Sequence, residues 1–259
     1  YQNQLSNIIF EKLIHVTKNF SHISKRTTKP TLLKTLIIRE YNKNIQKDLI
    51  FRLEKLKMVK VNNKKYKNCN YYIKNILNLL QKTKKLKYLE AKVGHWNYHG
   101  GNILINEKKN FYLIDPDATW DHNDPFFSLA RFIYTYPHDT IENNFYKIKS
   151  NHLEFSTKNK YMDFKINNTW NKEIQKNYNF IFRPYFFKLQ KNFKKINFTF
   201  NEYIRLSMCL ILCFLRGINS NFEKEINFQD KKGKIFKNKS VYIYLHSIMF
   251  LKQFYYFIK

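Results

Sequence analysis

Glycine is scarce in this chain, which contains five glycines among 259 residues. They stand at positions 94, 100, 101, 217 and 233, so only one pair is adjacent. Glycine-rich loops hold phosphates because closely spaced glycines let several backbone N–H groups approach the ligand. The sequence contains no such loop, and a phosphate site in this protein would have to use other residues.

Cysteine is also rare, with three residues in the chain. Cys69 is isolated, whereas Cys209 and Cys213 lie four apart in an apolar run, as small core residues would. This spacing gives neither a disulfide framework nor a zinc motif. Near the first residue there is no basic region, apolar region and small-residue cleavage site in series. We therefore expect a cytoplasmic protein, and the start without Met suggests a fragment or a processed start.

Acidic residues are few, since 47 Lys and Arg stand against 19 Asp and Glu for a net charge of +28. Such a charge attracts polyanions whatever the fold. Only seven of the 47 basic residues are Arg, and the chain is also rich in Asn, Ile, Phe and Tyr. That joint skew is typical of A/T-rich codons, and base-specific readers more often use Arg. We expect no specific nucleic-acid partner and keep polyanion binding as a lesser alternative.

The most informative segment lies between His95 and Asp115. Residues 102–106 and 111–115 are short apolar runs joined by the polar turn 107–110, which predicts a β-hairpin. The two ends of that hairpin would bring Asn102 and Asp115 together. An amide oxygen and a carboxylate are hard ligands of the kind that Mg²⁺ prefers. The spacing therefore indicates a phosphoryl-transfer site, which needs a metal on the phosphates and a residue facing the acceptor.

Two linked motifs resemble the aminoglycoside phosphotransferase and choline kinase-like branch of the protein-kinase-like fold. The family pattern is His-Gly-Asp-x-His-x-x-Asn followed by Ile-Asp, and the chain matches it at His95, His99, Asn102 and Asp115. Asp117 stands where a second acidic residue often follows. The segment Asp124-Pro125-Phe126-Phe127-Ser128-Leu129-Ala130 is similar to the family's Gly-Asp-Pro-x-x-Asp-Leu-Ala element, with Ser128 in place of an Asp. The resemblance covers residues 92 to 137.

The resemblance implies ATP-dependent, Mg²⁺-assisted transfer of a phosphoryl group to the hydroxyl of a small molecule. Asn97 would orient the acceptor in place of the family's catalytic Asp, with His95 and His99 supporting the loop. Asn102 and Asp115 would hold Mg²⁺ and the nucleotide, and Asp117 would assist the metal shell. Lys34, on a candidate strand at residues 31–38, is the one lysine nominated for the nucleotide phosphates.

The departure at Asn97 leaves two interpretations open, because an amide can aim a hydroxyl but cannot take its proton. A general base typically contributes about 10²–10⁴-fold to the rate. A slow kinase and a catalytically inactive kinase-like binding protein both fit this sequence. A metal-hydrolase cluster is a third, less favoured interpretation, built from His95, His99, Asp115, Asp117 and His122.

The predicted fold class is α+β, chiefly the helical large lobe of a kinase-like domain with a small β-hairpin. We expect the nucleotide lobe to be reduced, absent or not included in this chain. The parts are a helical region with a possible remnant of that lobe at 1–90, the site region at 91–137 and the helical remainder at 138–259. All belong to one expected domain.

The predicted elements follow from apolar spacing and capping signals. Asp124 is expected to cap a helix that begins at Pro125 and ends near Pro137, and Thr199 to Glu202 form a capping-box pattern. Residues 150–180 are expected to be irregular or loosely helical. The other helices are expected at residues 1–20, 43–58, 71–81, 203–215 with a stop at Gly217, and 241–258. The apolar run 206–215 is too short to span a bilayer, whereas Lys252 and Lys259 leave an interfacial role open for the last helix.

Overall fold

The structure is a computed structural model of this protein. The described residues are 2–23, 33–45, 54–56, 58–61, 63–82, 95, 98, 102–116, 124–134, 153–158, 161–166, 198–232 and 239–259. Within them the protein is a mixed α+β structure, mostly helical with two small sheets. This confirms the predicted fold class at that level.

The elements are numbered here in chain order. They are α1 (Gln2–Ile23), α2 (Leu33–Ile45), β1 (Met58–Val61), β2 (Lys64–Tyr66), α3 (Cys69–Leu79), β3 (Ile103–Ile105), β4 (Phe111–Leu113), α4 (residues 125–134), β5 (Leu153–Lys158), β6 (Tyr161–Ile166), α5 (Phe200–Lys232) and α6 (Lys239–Ile258). A short 3₁₀ turn, Leu80–Lys82, follows α3. Helices at 1–20, 71–81 and 241–258 are therefore confirmed, with small shifts at their ends.

The chain forms two compact units. The first comprises Tyr1–Leu33, Lys85–Ile148 and Asn171–Leu210, and the second comprises Lys34–Lys84, Lys149–Trp170 and Ile211–Lys259. Helix α5 supplies residues to both, with the change after Leu210. The expected division at residues 90 and 137 stays a prediction.

The first unit contains α1, the β3–β4 hairpin, α4 and the beginning of α5. Helix α1 buries Leu13, Ile14 and Thr17, which recur at helical spacing, and leaves His15 exposed. In α4 and its cap, seven consecutive residues from Asp124 to Ala130 are buried. The segment that resembles a kinase motif therefore forms part of the core of this unit.

The second unit contains a mixed four-stranded sheet in the order β2-β1-β6-β5. Strand β1 is antiparallel to β2 and parallel to β6, whereas β5 and β6 are antiparallel with Lys158 opposite Tyr161. The prediction of irregular or helical structure at 150–180 is wrong for both of these strands. Residues 153–156 and 162–166 alternate apolar and polar side chains with the two-residue period of a strand, and the alternation at 163–166 is visible in the sequence but is too short to predict a strand.

Residues 33–45 are helical, so the predicted strand at 31–38 is wrong where the structure describes it. The β-branched residues favoured a strand locally. However, Leu33, Ile37, Glu40 and Asn44 are buried at helical spacing, and burial of that face outweighs propensity. The predicted helix at 43–58 is also wrong at its end, because β1 begins at Met58.

Helix α5 is much longer than predicted, because Gly217 does not end it and the helix continues to Lys232. A glycine inside a helix costs about 1 kcal/mol relative to alanine. Leu215 and Ile218 on either side of it are fully buried, and this packing offsets the cost. Among the described residues, Phe200–Ser220 is the one stretch long and apolar enough to cross a membrane, and 83% of its apolar window is buried inside the protein, as in a core helix.

Candidate functional site

The β3–β4 hairpin confirms the strands predicted on either side of the polar turn. Its turn closes by hydrogen bonds from the Lys109 N–H to the Asn106 carbonyl at 2.8 Å and from the Asn106 N–H to the Asn110 carbonyl at 3.2 Å. Lys109 takes the left-handed conformation with φ of 60°, a feature of several tight hairpin loops. The Asn106 side chain also accepts from the Asn110 N–H at 2.8 Å. These contacts set the register in which Ile103 faces Leu113.

The open end of the hairpin brings Asn102 and Asp115 together, as the spacing predicted. The Asn102 side-chain Nδ2 donates to the Asp115 carbonyl at 3.2 Å, and the Ile114 N–H donates to the Asn102 carbonyl at 3.0 Å. Asn102 is 5% exposed, whereas Asp115 is exposed. A held amide therefore contacts the backbone of a residue whose side chain is exposed.

Asp115 has an unusual backbone conformation, with φ of 52°. Left-handed geometry costs a residue with a Cβ atom roughly 1–2 kcal/mol, although Asp and Asn tolerate it better than most residues. Such strain is concentrated at functional sites. It turns the chain directly after β4, at the residue expected to bind the metal.

One face of the hairpin carries apolar side chains that the described structure leaves exposed. Leu104 lies opposite Tyr112 across the two strands, and they are 49% and 51% exposed. Ile114 follows on the same face and is 40% exposed. We call these three residues the apolar strip, and it ends next to Asp115.

The loop before the hairpin is described at His95 and Tyr98. Tyr98 is 1% exposed, and its ring centroid lies 5.7 Å from that of buried His95. Burial raises the pKa of the Tyr98 hydroxyl, and the Thr17 hydroxyl on α1 partly offsets this rise. At these two positions the loop is therefore anchored in the core of the first unit.

Asp124 caps α4, as predicted. Its Oδ1 accepts from the Phe126 N–H at 2.9 Å, and its carbonyl accepts from the Phe127 N–H at 2.8 Å. Pro125 occupies the first helical position, where its missing N–H leaves no partner unsatisfied. Ser128, in the place of the family's Asp, is buried in the first turn.

Asp124 also forms a buried ion pair with Arg205 of α5. Its Oδ2 accepts from Arg205 Nε at 2.9 Å and from Arg205 Nη2, while Asp124 is fully buried. The guanidinium lies 5.2 Å from the centroid of the Phe126 ring. The two donors of Arg205 thus hold α4 to α5 in a defined orientation, and the guanidinium compensates the negative charge of Asp124.

Several predicted site residues lie outside the described residues, namely Asn97, His99, Asp117 and His122. Lys34 is described, but it lies on helix α2, so its predicted place on a strand is wrong. The apolar residues at positions 33, 36 and 37 explain this, because they form one buried helical face. The role of Lys34 in binding the nucleotide phosphates stays a prediction, and the strand on which it was based is not formed.

Sequence reasoning missed two residues that shape this site. Arg205 marks the polar boundary of an apolar run, and a single arginine beside buried positions is a signal for a charge partner. Tyr98 stands between more conspicuous residues of the motif. An aromatic residue in a loop of small and polar residues indicates an anchor in the core.

The donor set at the hairpin suits Mg²⁺ carried by a nucleotide. Asn102 and Asp115 offer hard oxygen ligands, and Mg²⁺ commonly uses one or two carboxylates with phosphate oxygens and waters. Among the residues that the structure describes, no group of three His, Cys, Asp or Glu side chains is arranged to hold a metal. We therefore expect weak binding of free Mg²⁺ and much stronger binding of Mg²⁺ with phosphates.

No family model, curated protein or solved structure matches this chain at a significant level. Its candidate function therefore has to be argued from its own residues and their geometry. The observations with chemical content are the Asn102–Asp115 contact, the strained backbone at Asp115 and the apolar strip beside it.

Proposed function

We propose that this protein is an ATP-dependent phosphotransferase of the protein-kinase-like fold, acting on the hydroxyl group of a small molecule. The observation that carries the proposal is the contact between Asn102 and the backbone of Asp115 across the base of the hairpin. It is supported by the anchored loop before the hairpin and by the capped helix after it. The loop, the hairpin and the capped helix follow one another along the chain in the order that the resemblance to the kinase-like family implies.

Asn102 and Asp115 would hold Mg²⁺ on the nucleotide phosphates. When bound, the metal neutralises charge that develops on the transferred phosphoryl group. The buried amide of Asn102 is held by its contact to the Asp115 carbonyl, which limits its motion. The Asp115 carboxylate is exposed, so phosphates can approach it from solvent.

The apolar strip would support the nucleotide base. Leu104, Tyr112 and Ile114 present a sheet face with large exposed apolar groups. Covering such a face with a planar ring removes apolar surface from water, at roughly 25 cal/mol per Å². The strip ends beside Asp115, so a base lying on it would place its phosphates toward the metal ligands.

Asn97 would aim the acceptor hydroxyl without taking its proton. Tyr98 and His95, which are close to it in sequence, are both buried in the first unit. The loose transition state of phosphoryl transfer demands little from a base, so the loss of a carboxylate slows the reaction more than it abolishes it. A slow enzyme is therefore the expected result.

The alternative is a catalytically inactive kinase-like binding protein, which keeps the fold without turnover. Asn97 in place of the catalytic Asp favours it, as does Ser128, whose hydroxyl is shorter and uncharged. The retention of Asn102 and Asp115 as a contacting pair favours catalysis, because an inactive protein has less need of both metal ligands together.

A thermal-shift titration with Mg²⁺-ATP, Mg²⁺ alone and ATP alone tests the site. We expect Mg²⁺-ATP to stabilise the protein by about 2.7 kcal/mol at a ligand concentration 100 times its dissociation constant, and free Mg²⁺ to have little effect. Asp115→Asn should remove this stabilisation, since asparagine accepts the left-handed backbone but carries no charge. Its own unfolding temperature should change little.

The matched control is Glu107→Gln, which neutralises an exposed carboxylate in the turn of the same hairpin. This variant should keep the full response to Mg²⁺-ATP. A full response in both variants would mean that net charge, and not the Asp115 site, binds the nucleotide, because neither substitution makes the protein less positive. No response in the unaltered protein would contradict the kinase and favour the catalytically inactive binding protein.

A further inference from the structure

The second unit carries a surface of lysine and tyrosine side chains from residues 64–74 and 252–259, which include parts of β2, α3 and α6. We call it the basic-aromatic face, and its members are Lys64, Lys65, Lys67, Tyr71, Lys74, Lys252, Tyr255, Tyr256 and Lys259. All of them are exposed except Lys252 and Tyr255, which are half-buried. None of them belongs to the site proposed for phosphoryl transfer.

On α3 the face begins at Tyr71, which is 40% exposed. The Lys67 ammonium lies 5.7 Å from the Tyr71 ring centroid, within the range of a cation–π contact. Lys74 follows three residues after Tyr71 and so lies on the same side of the helix. This part of the face therefore alternates charge and ring.

On α6 the same composition recurs at helical spacing. Lys252, Tyr255, Tyr256 and Lys259 stand at positions i, i+3, i+4 and i+7, which share one side of a helix. The Lys252 ammonium donates to the Lys65 carbonyl at 3.2 Å, which fixes α6 to β2. Tyr256 is the most exposed of the three tyrosines, at 62%.

The tyrosine rings of the two helices form a continuous row. Tyr255 meets Tyr71 edge to face with centroids 6.3 Å apart, and it lies 5.3 Å from Tyr256 on its other side. Tyr72 is buried nearby, with its centroid 6.2 Å from that of Tyr255. The two ends of the row are exposed and its middle is held in place, so the rings are preorganised.

The segments that build this face contain no acidic residue. Neither residues 55–89 nor residues 231–259 include Asp or Glu. Glu54 and Glu90 flank the first segment and Asp230 precedes the second. Glu54 accepts hydrogen bonds from the hydroxyls of Tyr41 and Tyr244. The lysines of the face therefore have no opposing charge within their own segments, which favours an anionic partner.

We propose that the basic-aromatic face binds single-stranded nucleic acid without sequence preference. Proteins of that kind combine lysines along the phosphates with aromatic rings on which bases stack. Every base has a flat face, so stacking on tyrosine needs no particular sequence. The shortage of arginine, which argues against base-specific reading, is no obstacle here because point charges suffice for phosphates.

An anionic membrane surface fits this face less well. Helices that lie in a lipid interface bury an apolar face of Trp, Phe and Leu side chains in it. The exposed rings here are tyrosines, which carry a polar hydroxyl, and the aliphatic residues of α6 such as Ile243, Leu245 and Ile248 are buried. The proposal therefore commits to nucleic acid, and it stands independently of the phosphotransferase.

Fluorescence anisotropy with a labelled oligouridylate of about 12 nucleotides tests the proposal on the full chain. Tyr256→Ala should weaken binding by roughly tenfold or more, the range that loss of one stacked base produces. Tyr256→Phe keeps the ring and should bind as the unaltered protein does. Because Tyr256 is largely exposed, both variants should fold, and their thermal melting checks this.

The lysine contribution is measured by the salt dependence of the same binding. Each lysine that meets a phosphate of a single strand contributes about 0.7 to the slope of log affinity against log salt. Lys74→Gln should lower the slope by about that amount. Lys108→Gln removes an equal charge from the hairpin turn of the first unit and should leave the slope unchanged.

Unchanged binding in Tyr256→Ala would overturn the proposal, as would equal effects of Lys74→Gln and Lys108→Gln, since either points to diffuse attraction by net charge. Vesicles containing phosphatidylserine provide the second arm. Binding to vesicles that depends on Tyr256, without binding to the oligonucleotide, would replace the proposal by a membrane surface. Oligonucleotide binding with the expected variant pattern would support it.

Discussion

Two carboxylates accept hydrogen bonds at helix starts in this protein, buried Asp124 and partly buried Glu54, one in each compact unit, and they are satisfied in different ways. Asp124 caps α4 and shares its charge with Arg205 in a two-donor ion pair. Glu54 accepts from the N–H groups of Cys69 and Asn70, at the start of α3, at 3.1 and 3.0 Å. Within the described part of the chain, its carboxylate is held by these two N–H groups and two tyrosine hydroxyls, and by no cation.

The difference lies in how the negative charge is compensated. A guanidinium neutralises the charge of Asp124 directly, whereas Glu54 depends on the dipoles of hydroxyl and N–H groups. Burial raises the pKa of Glu54, although hydrogen bonds from Tyr244, the Asn70 N–H and Tyr41 lower it in part. Burial likewise raises the pKa of the Tyr244 hydroxyl. The stability contributed by Asp124 should therefore depend on Arg205, whereas the stability contributed by Glu54 should depend on pH.

The largest effect is expected from Arg205→Met, which leaves Asp124 buried without its cation. Breaking a buried pair on one side typically costs about 3–5 kcal/mol. Urea unfolding measures the loss. Adding Asp124→Asn should restore part of it, since asparagine keeps the helix cap and carries no charge. Arg39→Ala, which removes an exposed partner of Glu40, should cost about 1 kcal/mol or less.

Glu54→Gln should have a smaller, pH-dependent effect. An amide offers one oxygen where the carboxyl group, charged or neutral, offers two, so one donor loses its partner at a cost of about 1–3 kcal/mol. Because the folded pKa is raised, the contribution of Glu54 to stability is fully present below its ordinary pKa of 4.5 and is lost as pH rises through the folded value. The deficit of the variant should therefore shrink as pH rises through that window.

Denaturant unfolding of both proteins at a series of pH values measures this deficit. The difference between the two curves isolates Glu54, since the other titrating groups are shared. Parallel curves would show that Glu54 has the same pKa in the folded and unfolded chain. Tyr244→Phe removes one hydroxyl donor to the same carboxylate, at 2.6 Å, and should raise the pKa of Glu54 further.

The smallest effect is expected at the exposed cap of α5. The Thr199 N–H donates to Glu202 Oε2 at 2.7 Å, and the Glu202 N–H donates to the Thr199 hydroxyl at 3.2 Å, which confirms the predicted capping box. Thr199→Ala should cost about 1 kcal/mol in unfolding free energy. Thr199→Ser keeps the hydroxyl and should cost much less. If Thr199→Ala lowered the unfolding free energy as much as Arg205→Met, the expectation that buried contacts contribute more than exposed ones would be contradicted.

The features predicted correctly are those that depend on residues close together in the sequence. The hairpin between Asn102 and Asp115, the cap at Asp124 and the capping box at Thr199 each depend on a pattern of a few positions. Tertiary packing overrode local signals elsewhere: residues 33–38 are helical despite their β-branched side chains, and α5 passes through Gly217.

The contacts that tie the elements together could not be predicted from local patterns. Asp124 and Arg205 lie 81 residues apart in the sequence, and Glu54 and Tyr244 lie 190 apart. Neither pair has a periodic signal, since a lone charged or hydroxyl residue also occurs on solvated faces. The contact between Asn102 and Asp115 was predictable because only the hairpin separates them. The functional roles of these residues stay predictions.

The most direct test of the proposed phosphotransferase is ADP formation from Mg²⁺-ATP in the presence of pooled amino alcohols, sugars and aminoglycosides. We expect a slow rate that Asp115→Asn abolishes and Glu107→Gln leaves unchanged. Asn97→Asp should raise the rate by up to about 10²–10⁴-fold, because it supplies the missing base. Nucleotide binding without ADP formation, in both the unaltered protein and the Asn97→Asp variant, would contradict catalysis and favour the binding protein. A rate unaffected by Asp115→Asn would contradict the site itself.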